Sequence, residues 1–221
     1  MIDDPNALPL ADVSDMKELH QVFRTAVNRA PTLVGGVAED DTERAELVAA
    51  YYAIVLRLLH AHHEGEDLLM TPILLDRCPE DADVISRVAA QHERILPALE
   101  EVGTLLEAWE QSPTRTATSQ LEATLARFGL DLCAHLDAEE KSVVPIAAEC
   151  MNVAEWAALP GHAFQYFDGD ELWLVIGLVR EHLSAPHLAA MDAGMPPSVT
   201  RMWVEDGEGM YGEFMSELLE G

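Results

Sequence analysis

The chain has 221 residues, 49% of them hydrophobic, and its 13 Lys and Arg stand against 40 Asp and Glu for a formal net charge of −27. That apolar fraction excludes a disordered acidic tail, and the length suffices for one sizeable core, alone or with a small appendage. The acidic balance argues against nucleic acid and anionic membrane as partners, because both are held by clustered Lys and Arg, and leaves solubility as the simplest use of the charge.

Residues 1–13 read as a loose tail, and its acidic start, Met1-Ile2-Asp3-Asp4-Pro5, lacks the basic-then-apolar order of a signal peptide. Ser14 and Asp15, with Glu18 completing a capping box, then start a first helix whose seam is Met16, His20, Phe23, Val27, Ala30 and Val34. Asp40-Asp41-Thr42-Glu43 starts a second, with Leu47, Tyr51, Val55, Leu58, His62, Glu66, Leu69 and Ile73. Arg77-Cys78-Pro79-Glu80-Asp81 starts a third, with Ile85, Val88, His92, Ile95, Leu99, Val102, Leu106 and Trp109. Ser112-Pro113 starts a fourth, with Leu121, Leu125, Phe128, Leu132, His135, Glu139, Val143 and Ile146. Every step is three or four residues, the seam of a helix packed in a bundle. The spacing predicts an all-α, up-down-up-down four-helix bundle over 14–150, kinked at Pro31 and Pro97.

Residues 151–221 come next as a helical extension, either packed on the bundle or forming a homodimer surface. An apolar helix is expected from about Asp170 to Leu188, a loop over Asp192–Ser198, and a last helix from near Ser198, weakened by Gly207 and Gly209. The longest apolar run, Leu172 to Val179, falls far short of the roughly 20 residues that span a bilayer. His182 and His187, with Pro186 between them, make a poor ligand pair. His162 and Tyr166 read as ordinary surface or packing residues, with a cover over a site's mouth as the alternative. Three cysteines, Cys78, Cys133 and Cys150, match no zinc spacing and read as reduced thiols in the cytoplasm.

Each bundle seam is interrupted by a histidine: His20, His62, His92 and His135. Two seams add a carboxylate one turn later, Glu66 and Glu139, on the same helix face. In an antiparallel bundle, residues at equal depth on successive helices are reflected through the turn between them. The midpoints of the successive histidine pairs are Asp41, Arg77 and Pro113/Thr114, all on turn signals found independently. The four histidines therefore belong at one level, pointing inward. One histidine in a seam is ordinarily a hydrogen-bonded structural residue, but six ionisable groups at one depth cost several kcal/mol unless a cation sits among them. Imidazole with carboxylate suits iron or manganese, and zinc less exclusively; two carboxylates shared among four helices can bridge two ions.

An internal repeat sharpens this. His62 to Pro72 and His135 to Pro145 share H-x-x-x-E-[ED]-x-x-x-x-P; with His20 and His92 the order is H, HxxxE, H, HxxxE. In these motifs the sequence resembles the hemerythrin family, specifically the bacterial hemerythrin-like HHE cation-binding domains, over about residues 14–150. The resemblance implies two non-haem iron ions, oxo- or hydroxo-bridged. It implies His20, His62 and Glu66 near one iron, His92, His135 and Glu139 near the other, and Glu66 and Glu139 bridging. His63 lies about 100° round the helix from His62 and reads as a residue behind the ligands or an extra ligand.

The sequence departs from the family at one point. Oxygen-carrying hemerythrins have a second histidine one turn after the helix-three ligand, where this chain has Ile95 and Leu96. One iron is then expected to be under-ligated and completed by water or another residue, with Glu140, Glu93 or a C-terminal tyrosine or histidine as alternatives. Tyr51, eleven residues from His62, lies roughly 16 Å along the axis from it, too far for direct ligation. An open position favours binding or reaction with dioxygen, peroxide or nitric oxide, with catalase- or peroxidase-like turnover as the enzymatic version. Leu58, Leu69, Ile95, Phe128 and Leu132 would keep that pocket apolar. An iron or oxygen sensor without turnover, and a metal-free helical interaction protein, are the alternatives.

Overall fold

The computed structural model describes residues 8–169 and 171–220; the start of the expected tail, Asp170 and Gly221 lie outside them. Four long helices form the bundle: α1 (Asp15–Leu33), α2 (Thr42–Gly65), α5 (His92–Gln111) and α6 (Arg115–Ser142). They close a ring, α1 against α2, α2 against α5, α5 against α6 and α6 against α1. The helix starts fall where the sequence places them. The Asp41 side chain accepts from the Arg44 amide at 3.1 Å, and Thr114 accepts from Ala117 at 3.3 Å. The capping box expected at α1 does not form: Asp15 accepts from the Trp156 indole at 2.9 Å, and Glu18 reaches His187 at 2.7 Å. Both side chains serve tertiary contacts instead.

Near the histidine level the rods are interrupted rather than continuous. Past Gly65 the chain runs through one π-turn, Glu66–Met70, into α3 (Thr71–Arg77). The third predicted helix is split into α4 (Ala82–Ala89) and α5 at Ala90–Gln91, upstream of Pro97. The fourth breaks at Val143 before α7 (Val144–Cys150). Pro72 and Pro145 sit in the first turns of α3 and α7, where a missing N–H disturbs least. The extra residue of the π-turn rotates the helix beyond it. Met70 and Leu74 are the buried positions, not the expected Leu69 and Ile73, and beyond Val143 the buried positions are Val144 and Ala147, not Ile146.

Two apolar clusters result. The larger holds Phe23, Leu59, Ile95, Leu132 and Leu136; the smaller holds Met16, Met70, Leu74, Val88 and Val143. The histidines lie between them. Gly129 lets α1 and α6 close up, since a Cβ there would stand 2.2 Å from a Val27 methyl.

The extension contributes α8 (Val153–Ala163), α9 (Leu172–Arg180), α10 (Ala185–Gly194), α11 (Pro197–Met202) and α12 (Glu208–Glu220). The predicted 170–188 helix is thus two, and α10 runs into the expected loop. Leu174, Val175 and Leu178 of α9 with Met215 and Leu218 of α12 are buried in the larger cluster. Residues 9–11 are pinned rather than loose: Ala11 donates to the Met151 carbonyl and Val153 donates to that of Pro9, both at 3.0 Å. The expectation of three free thiols is also corrected. Cys78 and Cys150, at the ends of α3 and α7, form a disulfide, and only Cys133 is free. Packing of two helical segments brings together thiols that lie 72 residues apart, which spacing could not show. Among the described residues no helix is long and apolar enough to cross a membrane.

Candidate metal centre

The six expected ligands, His20, His62, Glu66, His92, His135 and Glu139, reach one buried layer together with His63. His20, Glu66, His135 and Glu139 are essentially inaccessible, and His62, His63 and His92 are buried. The ligand atoms fall into two groups, each with all members within 4.8 Å of one another: His20, His62, Glu66 and Glu139, and His63, Glu66, His92 and His135. In the first group the Nε2 atoms of His20 and His62 are 3.2 Å apart; in the second those of His92 and His135 are also 3.2 Å apart. Two donors at right angles on one ion at about 2.1 Å are separated by roughly 3 Å, so both spacings suit a shared cation.

The carboxylates join the groups. Glu66 presents Oε1 3.2 Å from His62 Nε2 and Oε2 3.5 Å from His92 Nε2, one oxygen to each. Glu139 belongs by distance to the His20 group, with Oε2 3.5 Å from His20 Nε2, and that oxygen is also 3.8 Å from His135 Nε2. Expected near His92 and His135 and as a bridge, Glu139 stands between the groups. The position of α6 across from α1 brings it there.

The residues behind the layer fix which nitrogen faces inward. A carboxylate can only accept, so His20 Nδ1 donates to Glu140 at 2.9 Å and His92 Nδ1 donates to Asp67 at 2.8 Å. His135 Nδ1 donates to the Gln91 side-chain oxygen at 3.1 Å. In the neutral ring that tautomer turns the free Nε2 lone pair to the layer, the arrangement that metal-binding imidazoles use. Glu140 is held down to about 2 by the hydrogen bond from His20 and by Arg24, whose guanidinium is 2.9 Å away. It orients His20 and belongs to neither group of ligand atoms. Glu93 is exposed at the rim of a cavity, and Tyr51 is buried with Tyr52, away from the layer.

The place left open by Ile95 and Leu96 is approached by His63, which the sequence left as a residue behind the ligands or an extra ligand. His63 joins His92 and His135, its ring stacked on His92 with centroids 4.2 Å apart. The helix supplies the reason. Adjacent residues diverge by about 100°, and α2 lies between α1 and α5, so His62 turns to His20 and His63 to His92. The layer therefore holds five imidazoles and two carboxylates. The adjacent His62-His63 pair was the available signal, and only the neighbours of α2 give each ring a destination.

Charge and hydrogen bonding supply the fit test. His63 Nε2, both oxygens of Glu66 and Oε2 of Glu139 are buried without a hydrogen-bond partner, and an orphaned buried polar group costs about 1–3 kcal/mol. Burial, then the neighbouring Glu139, pushes the Glu66 carboxyl well above its ordinary range. Burial, then His92, pulls His135 down to about 3, and His62 and His63 fall well below the usual imidazole value. A carboxyl that resists ionising and imidazoles that resist protonation, aimed at a common space, fit a site that can take a cation. The donor set, imidazole and carboxylate without thiolate, fits iron; Cys133 belongs to neither group.

Beside the second group lies a cavity of about 220 Å³ lined by His60, His63, Glu64, Asp67, His92, Glu93, Leu96 and Leu99. The extension reaches its edge, since Glu64 accepts from His162 at 2.9 Å and from the Tyr166 hydroxyl. The reading of His162 and Tyr166 as plain packing residues is therefore too weak. His60 packs edge-on against Tyr166, and His187 is engaged with Glu18 and belongs to neither group.

The family model for the hemerythrin HHE cation binding domain matches residues 11–147, which contain all seven donors and none of α8 to α12. Neither the curated proteins nor the solved structures contain a match to the chain.

Proposed function

The chain belongs to the hemerythrin HHE cation binding domain family, and from that premise we propose that it is a non-haem di-iron protein whose bundle-core site binds or reacts with dioxygen, peroxide or nitric oxide. The observation that carries the reading is Glu66: buried, with no hydrogen-bond partner, and with one oxygen turned to each histidine group. His20, His62, Glu66 and Glu139 would hold one iron, and His63, His92, His135 and Glu66 the other. Bound there, a ferrous pair supplies electrons to a small oxidant or a coordination site to nitric oxide.

The rest is done by the chain. Glu140, Asp67 and Gln91 hold the Nδ1 protons of His20, His92 and His135, so the three rings cannot turn or change tautomer without breaking a hydrogen bond. Leu58, Ile95, Phe128 and Leu132 are buried in the larger cluster and exclude water from that side; Leu69, expected with them, is only partly buried.

Metal analysis together with an absorption spectrum of the oxidised protein tests the proposal. Two irons per chain and the charge-transfer bands of a bridged ferric pair are expected; a metal-free protein, or one holding a single zinc, overturns it. A sensing role draws support from α8, which lies close enough to α2 that a Cβ at Gly65 would be 3.3 Å from His162. Sensing without turnover requires that metal-free, ferrous and ferric forms differ in melting temperature or subunit number; identical behaviour removes it.

A further inference from the structure

The cavity beside the second group is open to solvent past an acidic rim. Its inner wall is His63 and His92, two donors of the centre; nearer the surface come Glu64, Asp67, Glu93 and Leu96, and among the described residues no lysine or arginine lines it. Asp67 is fixed by the His92 Nδ1 proton. Glu64 is fixed by the extension, through His162 Nε2 and the Tyr166 hydroxyl. These two residues lie beyond the segment that matches the family, so the rim is assembled partly by sequence that the bundle alone does not provide.

We propose that this cavity is the access route to the metal centre and that the C-terminal extension, by holding Glu64 at the rim, gives the route its charge selectivity: cations and small uncharged ligands pass, and anions are rejected. The inference rests on the di-iron reading of the site. A cleft walled by low-dielectric protein and lined with one sign of charge focuses that charge, changing association rates by about 10- to 1000-fold, favourably for the opposite sign and unfavourably for the same sign. With Glu64, Asp67 and Glu93 at one mouth, on a chain of formal net charge −27, the field favours an incoming divalent cation and opposes azide or a similar anion. A neutral diatomic feels neither effect, and its passage depends on width alone.

The experiment uses the full chain at low ionic strength. Cobalt(II) uptake by the metal-free protein is followed by its absorption, and azide and nitric oxide association by stopped flow on the iron-loaded protein. In Glu64→Gln/Glu93→Gln, cobalt uptake is expected to slow about tenfold and azide association to quicken about tenfold, with nitric oxide unchanged within about twofold. Both differences should collapse at about 0.5 M salt, where screening is short-ranged. His162→Ala/Tyr166→Phe should move cobalt and azide in the same opposite directions by a smaller factor. Leu96→Trp, which fills the cavity, should slow all three.

Opposite movements are what loosening of the fold cannot produce. If the double variants speed cobalt and azide together, the selectivity is overturned; if Leu96→Trp leaves the rates unchanged, the route is. A chain that takes up no metal overturns the di-iron reading and this inference with it, whereas normal uptake with rates indifferent to the rim overturns this inference alone.

Discussion

Replacing Glu66 with leucine separates a residue kept for folding from one kept for a cation. Glu66 is 1% exposed and neither oxygen has a hydrogen-bond partner. An unsatisfied buried polar group costs about 1–3 kcal/mol, and apolar substitution of buried ionic groups is often stabilising by about 1–4 kcal/mol. Taking about 2 kcal/mol for Glu66→Leu, and roughly 2–4 °C per kcal/mol for a chain of this size, the metal-free variant should melt about 4–8 °C above wild type in the presence of a chelator. With ferrous iron under anaerobic conditions the order should reverse. An ion at about 1000 times its dissociation constant adds about 4 kcal/mol. Glu66 is shared by both groups, so its loss weakens both sites and the variant should gain less than half of the wild-type shift. Differential scanning calorimetry with and without iron reads both halves. A Glu66→Leu protein that melts below wild type in chelator would falsify the reasoning, because the carboxylate would then be stabilising the empty fold.

Three further outcomes are expected. His63→Ala should lower bound iron from two per chain toward one by elemental analysis, while His60→Ala on the cavity wall keeps two; retention of two in both would return His63 to a residue behind the ligands. Cys78→Ser should cost about 4 kcal/mol in the chain-entropy account of a disulfide across 72 residues, or roughly 8–16 °C; a reductant should shift wild type equally and the variant not at all. Without metal, stability should fall as pH drops below about 6.5. His135 is lowered to about 3 and His62 and His63 lie well below their ordinary value, so the stability they contribute is present above the unfolded imidazole value and lost as the folded groups are forced to charge. Glu66, raised, acts oppositely: its contribution is complete below the unfolded carboxyl value and fades as pH rises through its folded one. Melting temperature against pH in chelator should therefore slope less steeply in His135→Gln on the acid side, and an unchanged slope would contradict the assignment.

The apolar spacing and the start signals at Asp41 and Thr114 were enough to define four rods, and the reflection of His20, His62, His92 and His135 through their turns was enough to put six donors at one depth. Both are local or nearly local properties: a helix advances by a fixed angle and rise per residue, so seam and depth come from counting. What counting leaves open is which neighbour a given angle meets. His63 points 100° away from His62, and that direction means solvent or ligand depending on where α5 lies. The π-turn at Glu66–Met70 adds a residue that no periodic pattern announces, which is why Met70 and Leu74 are buried where Leu69 and Ile73 were expected. The pairing of Cys78 with Cys150 and the grip of His162 and Tyr166 on Glu64 join segments 72 and about 100 residues apart. Chain order carries no information about such meetings; they exist only once the rods have packed and brought remote surfaces within reach.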